Sequence, residues 1–141
     1  MKRLFATLIV ICSCFSMQAQ KLPSSKVPVA VKDAFVKQYP NTAVKWEMED
    51  GKYEASFTHD AAQTSVLYDK NGMAAETEID IKPSELLPVI IKYVSTHYAG
   101  KKIKEAAKIT RADGTVNYEA QVNGKDVIFD AAGNFLKEVK D

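Results

Sequence analysis

The chain has 141 residues, 46% of them hydrophobic and 26% charged, and this composition is typical of an ordinary globular protein. Its length allows one domain or two very small ones. The formal net charge of +1 becomes −1 without Lys2 and Arg3, so neither half of the chain is basic enough to suggest nucleic-acid binding.

The first residues have the layout of a secretory signal peptide. Lys2 and Arg3 precede an apolar run over residues 4–11 that is too short to span a bilayer. Small and polar residues follow this run, and we expect cleavage after Ala19. The sequence therefore predicts an exported protein, periplasmic or secreted, with residues 1–19 as the signal peptide.

A lipoprotein signal is the alternative for the same segment. Residues 11–14 loosely resemble a lipobox, in which Ser13 precedes a lipidated Cys14. Cys12 and Cys14 are the two cysteines of the chain, so the mature protein is expected to fold without disulfides. No later segment is apolar enough to predict a transmembrane helix.

The rest of the chain repeats one series of landmarks, first over residues 20–83 and again over residues 84–141. The matching landmarks are Val27-Pro28 with Leu87-Pro88, Asp50-Gly51 with Asp113-Gly114, Tyr53-Glu54-Ala55 with Tyr118-Glu119-Ala120, and Val66-Leu67-Tyr68-Asp69 with Val127-Ile128-Phe129-Asp130. Landmarks that recur in the same order predict a tandem duplication, with one repeat in each segment.

The first repeat begins with apolar residues at helical spacing from Val27 to Tyr39, and Pro40 ends this predicted helix. Four short strands with period-two alternation follow over residues 44–81. Asp50-Gly51 and Asn71-Gly72 are the predicted hairpin turns.

The second repeat follows the same plan. Its predicted helix begins regularly at Pro88 and ends before Gly100, and its strands run from Ile103 to Val139. Strands joined by tight turns are antiparallel. We therefore predict an α+β fold of two tandem α-β-β-β-β units. They form one sheet of eight strands, with both helices on one face and an open opposite face.

No catalytic motif is present: the chain lacks a nucleophile elbow, a phosphate loop and a zinc-protease helix. The sequence therefore predicts no enzyme and no cofactor. The alternation of the strands directs Glu54 and Glu119 away from the tyrosine and alanine beside them, toward solvent. His59 and His97 have structural or surface roles in this interpretation.

The turn from Asp69 to Gly72, with Glu76 after it, resembles part of a calcium loop. A hairpin turn explains the same residues, and the second copy has Ala132 in place of Asn71. No residue is assigned as a metal ligand. Calcium or small-ligand binding at the Asp69 and Asp130 turns is the alternative function.

The basic run Lys101 to Arg111 is interpreted as a solvated strand face, with an anionic partner site as the alternative. Trp46 is the only tryptophan, and Glu105 aligns with it in the second repeat. A buried site rarely exchanges tryptophan for glutamate. Trp46 is therefore either a core residue of an unequal pair or an exposed contact residue.

The tandem units, the Tyr-Glu-Ala strand and the Val-x-(Tyr/Phe)-Asp-x-x-Gly hairpin resemble the PepSY-like, β-lactamase-inhibitor-protein-like periplasmic proteins common in Bacteroidetes. The resemblance covers nearly all of residues 26–141. It implies secretion, no enzymatic activity, and binding of a protein or peptide by the open sheet face. No contact residues are carried across from the family.

The expected function is that of an exported, non-catalytic interaction module, an inhibitor or sensor of an envelope protein whose identity the sequence leaves unknown. Aromatic side chains are frequent anchors at such interfaces. The predicted anchors are Trp46, Tyr68 and Phe129.

Overall fold

The computed structural model describes residues 20–140, which form two helices and nine strands. The helices are α1 (Val29–Gln38) and α2 (Pro88–His97), each preceded by a short 3-10 segment, Ser24–Lys26 and Pro83–Glu85. The strands are β1 (Gln20–Leu22), β2 (Lys45–Glu49), β3 (Lys52–His59), β4 (Ala62–Tyr68), β5 (Ala74–Ile81), β6 (Ile103–Arg111), β7 (Val116–Val122), β8 (Lys125–Asp130) and β9 (Phe135–Lys140). The predicted signal peptide and Cys14 lie outside the described residues.

All nine strands belong to one sheet, in which they are neighbours in chain order and every pair is antiparallel. Tight turns make this order possible. Asp50 and Gly51, for example, have φ values of 47° and 73°, the left-handed conformation that a two-residue hairpin turn requires. The predicted α+β class and the antiparallel sheet are confirmed.

The prediction of eight strands missed β1. This strand has three residues and pairs with β2, so that Leu22 lies opposite Trp46. A segment this short is too brief for its alternation to be read from the sequence. Its pairing covers the free edge of β2.

A proline lies at the start of each helix, as the residue before α1 (Pro28) and as the first residue of α2 (Pro88), and each helix buries residues one turn apart. The rigid φ of Pro28 and Pro88 suits the first turn of a helix. Val31 and Phe35 of α1 are buried, as are Ile90 and Val94 of α2. No helix among the described residues is long and apolar enough to cross a membrane.

The register of the sheet places both helices on the same side, here called the helix side. Residues directly opposite each other in an antiparallel pair point to the same face. One such row crosses from β3 to β8 through Phe57, Thr64, Ile79, Lys108, Tyr118 and Phe129. Phe35 of α1 packs against Phe57 with ring centroids 5.0 Å apart, and Tyr93 of α2 packs against Phe129 at 5.3 Å.

Each helix covers a separate core. The first core is rich in aromatic residues: Phe35, Tyr39, Trp46, Phe57 and Tyr68. The second core is mainly aliphatic: Leu86, Ile90, Val94, Val122, Val127 and Phe129. The two share no buried residue, and Ile79, which lies on the helix side between them, is 39% exposed.

The repeated Asp-x-x-Gly turns bring each unit's third hairpin against its own helix. Asp69 Oδ1 accepts hydrogen bonds from the backbone N–H groups of Asn71 and Met73, at 2.8 and 3.0 Å. Gly72 has a φ of 82°, and a Cβ there would collide with the carbonyl oxygen of Ala30 in α1. The motif is therefore explained by the fold, because its aspartate shapes the turn and its glycine lets the helix approach.

Candidate functional site

The side of the sheet opposite the helices, here called the open face, is uncovered within residues 20–140. The register places charged side chains on this face, and the sign of their charge differs between the central strands and the strands nearer the edges. From β4 to β8, all of them except Arg111 are carboxylates: Glu76, Glu78, Asp80, Glu105, Glu119, Asp126 and Asp130. The lysines on the same side lie on the strands toward the edges, at Lys21, Lys45, Lys52 and Lys137.

Small and aliphatic side chains form a floor between these carboxylates. Ala107, Ile109 and Ile128 belong to the open face and are 4%, 6% and 7% exposed, although neither helix lies over them. Side chains around them on the same face must therefore close over them. The open face has an apolar floor with acidic groups around it.

Glu78 lies near the middle of this face, between Ser65 of β4 and Ile109 of β6. Burial is the main cause that raises its pKa from 4.5 to about 7, and the nearby carboxylates of Asp80, Glu76, Glu54 and Asp126 add to the effect. Asp126 belongs to β8, three strands away, so carboxylates from distant strands act on one another across this face.

The neighbours of Glu78 are perturbed in the same direction. Burial raises the pKa of Glu54, with Glu49 as the largest charged contributor, while a hydrogen bond with Ser65 opposes the rise. Burial is the main cause that raises the pKa of Asp80, and the nearby carboxylate of Glu105 adds to the rise. A depression of about 230 Å³ lies beside these three carboxylates, which line it together with Ser56, Gln63, Thr64 and Ser65.

This cluster makes stability depend on pH. The folded chain holds the Glu78 proton up to about pH 7, whereas an unfolded chain releases it near 4.5, so stability falls as pH rises between these values. Replacing Glu78 by glutamine is expected to remove this loss. The variant should be more stable than the parent at pH 8, by on the order of 2 kcal/mol, and similar to it at pH 4.5.

Urea denaturation of the parent and of Glu78→Gln at both pH values would measure the effect. Glu85→Gln is the matched control, because Glu85 is exposed and belongs to the 3-10 segment before α2. An equal difference between parent and Glu78→Gln at the two pH values would contradict the expectation.

Arg111 is the cation among the central carboxylates, and its Nε lies 3.1 Å from Oε2 of Glu76. It also belongs to the basic run identified in the sequence. Lys108 of the same run points to the helix side, opposite Ile79 and Tyr118. The run is thus divided between the two faces of β6 and does not present its charges on one surface.

The three predicted anchors do not lie on the open face, and the structure corrects this prediction. Trp46, Tyr68 and Phe129 are 6%, 1% and 0% exposed and pack in the cores on the helix side. A partner on the open face could not reach these side chains. Of the two interpretations of Trp46, the structure supports the core residue.

The proposed equivalence of Trp46 and Glu105 is also wrong. Trp46 pairs with Ala55, and the residue that pairs with the corresponding Ala120 is Ala106. A register shift between Ile103 and Glu105 displaces the alignment by one residue. Glu105 therefore points to the open face, and no glutamate replaces a buried tryptophan.

The aspartates of the repeated turns, Asp69 and Asp130, accept hydrogen bonds from backbone N–H groups within their own turns. Asp130 Oδ1 accepts hydrogen bonds from the backbone N–H groups of Ala132 and Asn134, at 2.9 and 2.8 Å. Its Oδ2 accepts one from the Asn134 side chain at 2.9 Å, and these bonds from Asn134 lower the pKa of Asp130. Across residues 20–140, no group of three His, Cys, Asp or Glu side chains is arranged to hold a metal ion.

The acidic surface was missed in the sequence, although one signal for it was present. Glu76, Glu78 and Asp80 alternate along β5, and such a period-two row of carboxylates marks one face of a strand. Glu105, Glu119 and Asp126 join them only through the pairing of four strands, which the sequence alone does not display.

Solved structures of Bacteroides proteins share this fold. A "putative periplasmic" protein from Bacteroides eggerthii has a TM-score of 0.74 at 16% identity, covering 81% of this chain and 88% of that chain. A DUF2874 family protein from Bacteroides uniformis has a TM-score of 0.72 at 18% identity, covering 80% and 88%. A BLIP-like protein from Bacteroides fragilis has a TM-score of 0.67 at 26% identity, covering 84% and 87%.

None of the curated proteins matches the chain. One family profile matches it twice, over residues 14–73 and over residues 51–137, and this family is described as "Putative beta-lactamase-inhibitor-like, PepSY-like". The two matches overlap at residues 51–73 and together extend over residues 14–137, which is most of the chain. The chain therefore belongs to the PepSY-like, β-lactamase-inhibitor-like family.

Proposed function

We propose that the protein is an exported, non-catalytic interaction module of the cell envelope, an inhibitor or sensor that binds a protein partner on its open face. The observation that carries the proposal is the open face itself: a broad sheet surface with a buried apolar floor and charged surroundings, left uncovered by both helices.

The dimensions of the open face suit such a role. Nine strands spaced about 4.8 Å apart give a width of roughly 40 Å, and the strands from β2 to β9, which have five to nine residues, are roughly 20–30 Å long. The area is therefore on the order of 800 Å² or more, which is what each partner of a standard specific complex buries.

The positions of the histidines favour binding over catalysis. His59 packs against the ring of Tyr39, with centroids 5.1 Å apart, and His97 stacks on Tyr93 at 3.9 Å. Both contacts are on the helix side, away from the carboxylates of the open face. The signal-like start of the chain and the kinship with periplasmic proteins support the envelope location.

Site-specific photo-crosslinking would test the proposal. One variant carries the photoreactive residue p-benzoylphenylalanine in place of Ser65, on the open face, and the matched control carries it in place of Val36, which is 59% exposed on α1. Both purified variants are irradiated in an envelope extract. We expect discrete protein adducts from position 65 and background labelling from position 36.

Adducts from position 36 alone, or from neither position, would contradict binding through the open face. The identity of an adduct would separate the two roles, because an inhibited enzyme loses activity when the purified module is added, whereas the partner of a sensor does not.

A further inference from the structure

We propose that the partner segment bound by the open face is cationic: a polypeptide stretch rich in lysine and arginine that lies along β5, on the face formed by strands β3 to β8. This inference rests on the function proposed above and specifies the chemistry of the partner.

The first support is the separation of charge on the molecule. The whole chain is nearly neutral, with a formal net charge of +1, yet the central strands of the open face present carboxylates and the single cation Arg111. A surface of one sign attracts groups of the other sign and repels its own. Such a face selects a basic segment and disfavours an acidic one.

The second support is the spacing of the carboxylates. Glu76, Glu78 and Asp80 occupy alternate positions of β5, so neighbouring carboxylates in this row are roughly 7 Å apart. Alternate side chains of an extended polypeptide have the same spacing. A row of this kind therefore suits a chain that presents a lysine or arginine at every second residue.

Burial and mutual repulsion already disfavour the charged form of Glu78. An ammonium or guanidinium group placed beside it would relieve this repulsion, which gives a cationic partner an electrostatic advantage over a neutral one.

Binding of two matched peptides would test the proposal on the whole mature protein. One peptide of about 12 residues alternates lysine with threonine, and the other alternates glutamate with threonine; this length spans roughly 40 Å when extended. The proteins are the parent, the face variant Glu54→Gln/Glu78→Gln/Asp80→Asn, and the control variant Asp33→Asn/Asp50→Asn/Asp60→Asn, whose three sites are exposed or partly exposed and outside the open face of β4 to β8.

The measurements are made at pH 8, above the pKa of about 7 of Glu78, so that both variants lose nearly the same negative charge and separate the effect of the face from that of net charge. We expect the lysine peptide to bind the parent and the control variant similarly, and the face variant about tenfold or more weakly. The glutamate peptide should not bind. The face variant should fold, because its substitutions remove carboxylates that repel one another, and its thermal melting would verify this.

Equal weakening in both variants, equal binding to all three proteins, or no binding of the lysine peptide would overturn the proposal. It would also fail if millimolar Ca²⁺ alone raised the melting temperature and blocked the peptide at constant ionic strength, since the face would then be a cation site. An adduct from position 65 that forms equally with the parent and the face variant would overturn the cationic partner and leave the proposed function intact. Peptide binding without any such adduct would overturn the proposed function alone.

Discussion

Replacing Gly72 by alanine is expected to lower the free energy of unfolding by about 3 kcal/mol or more. The residue has a φ of 82°, and its added Cβ would meet the carbonyl oxygen of Ala30, a backbone atom that cannot rotate away. The hairpin and α1 would have to separate, which would open the first core. Urea denaturation followed by circular dichroism would measure the loss.

Gly114→Ala is the matched control for this effect. Gly114 has nearly the same φ, 84°, but no atom beyond its chain neighbours lies within 4 Å of the position that a Cβ would take. Only the conformational cost remains there, on the order of 1–2 kcal/mol. Similar losses in the two variants would show that the approach of the helix to the turn is not what requires glycine at position 72.

Replacing Trp46 by alanine is expected to destabilise the protein by about 3–5 kcal/mol. The indole lies in the first core, with its ring centroid 5.6 Å from Phe35 and 6.4 Å from Tyr68, so its removal leaves a large cavity under α1. Trp46→Phe should cost less, about 1–2 kcal/mol, because it keeps an aromatic ring in place. Thermal and urea denaturation of both variants would measure the series.

Val36→Ala is the control for the tryptophan series, since Val36 is exposed on α1 and its truncation should change stability by less than about 0.5 kcal/mol. The folded Trp46→Phe variant should form the same crosslinks from position 65 as the parent. If a fully folded Trp46→Phe protein lost these crosslinks, Trp46 would have to be a contact residue for the partner, contrary to its assignment to the core.

The sequence predicted the fold well because its signals are local. Both residues of Asp50-Gly51 adopt positive φ values at a hairpin turn, and the two helices begin near the predicted residues. Each of these features depends on a few adjacent residues. Landmarks that recur in the same order, such as Asp50-Gly51 and Asp113-Gly114, favour the same prediction for both halves of the chain.

The candidate binding surface is harder to predict from the sequence because it depends on which face of the sheet the helices cover. Period-two alternation shows that Val66 and Tyr68 share a face, but it does not show whether α1 lies over them. The prediction of anchors assumes that the aromatic residues are exposed, whereas the packing of Phe35 and Tyr93 buries them. The shift of register beside Glu105 likewise arises from strand pairing, which a single sequence does not display.

The two separate cores have a mechanical consequence for whatever binds the sheet. The halves of the molecule are joined by the ladder between β5 and β6, where Glu78 lies opposite Ile109, and no buried side chain belongs to both cores. A ligand that contacts both β5 and β6 would hold the two halves together. Ligand binding would then stabilise the association of the halves and reduce their motion relative to each other.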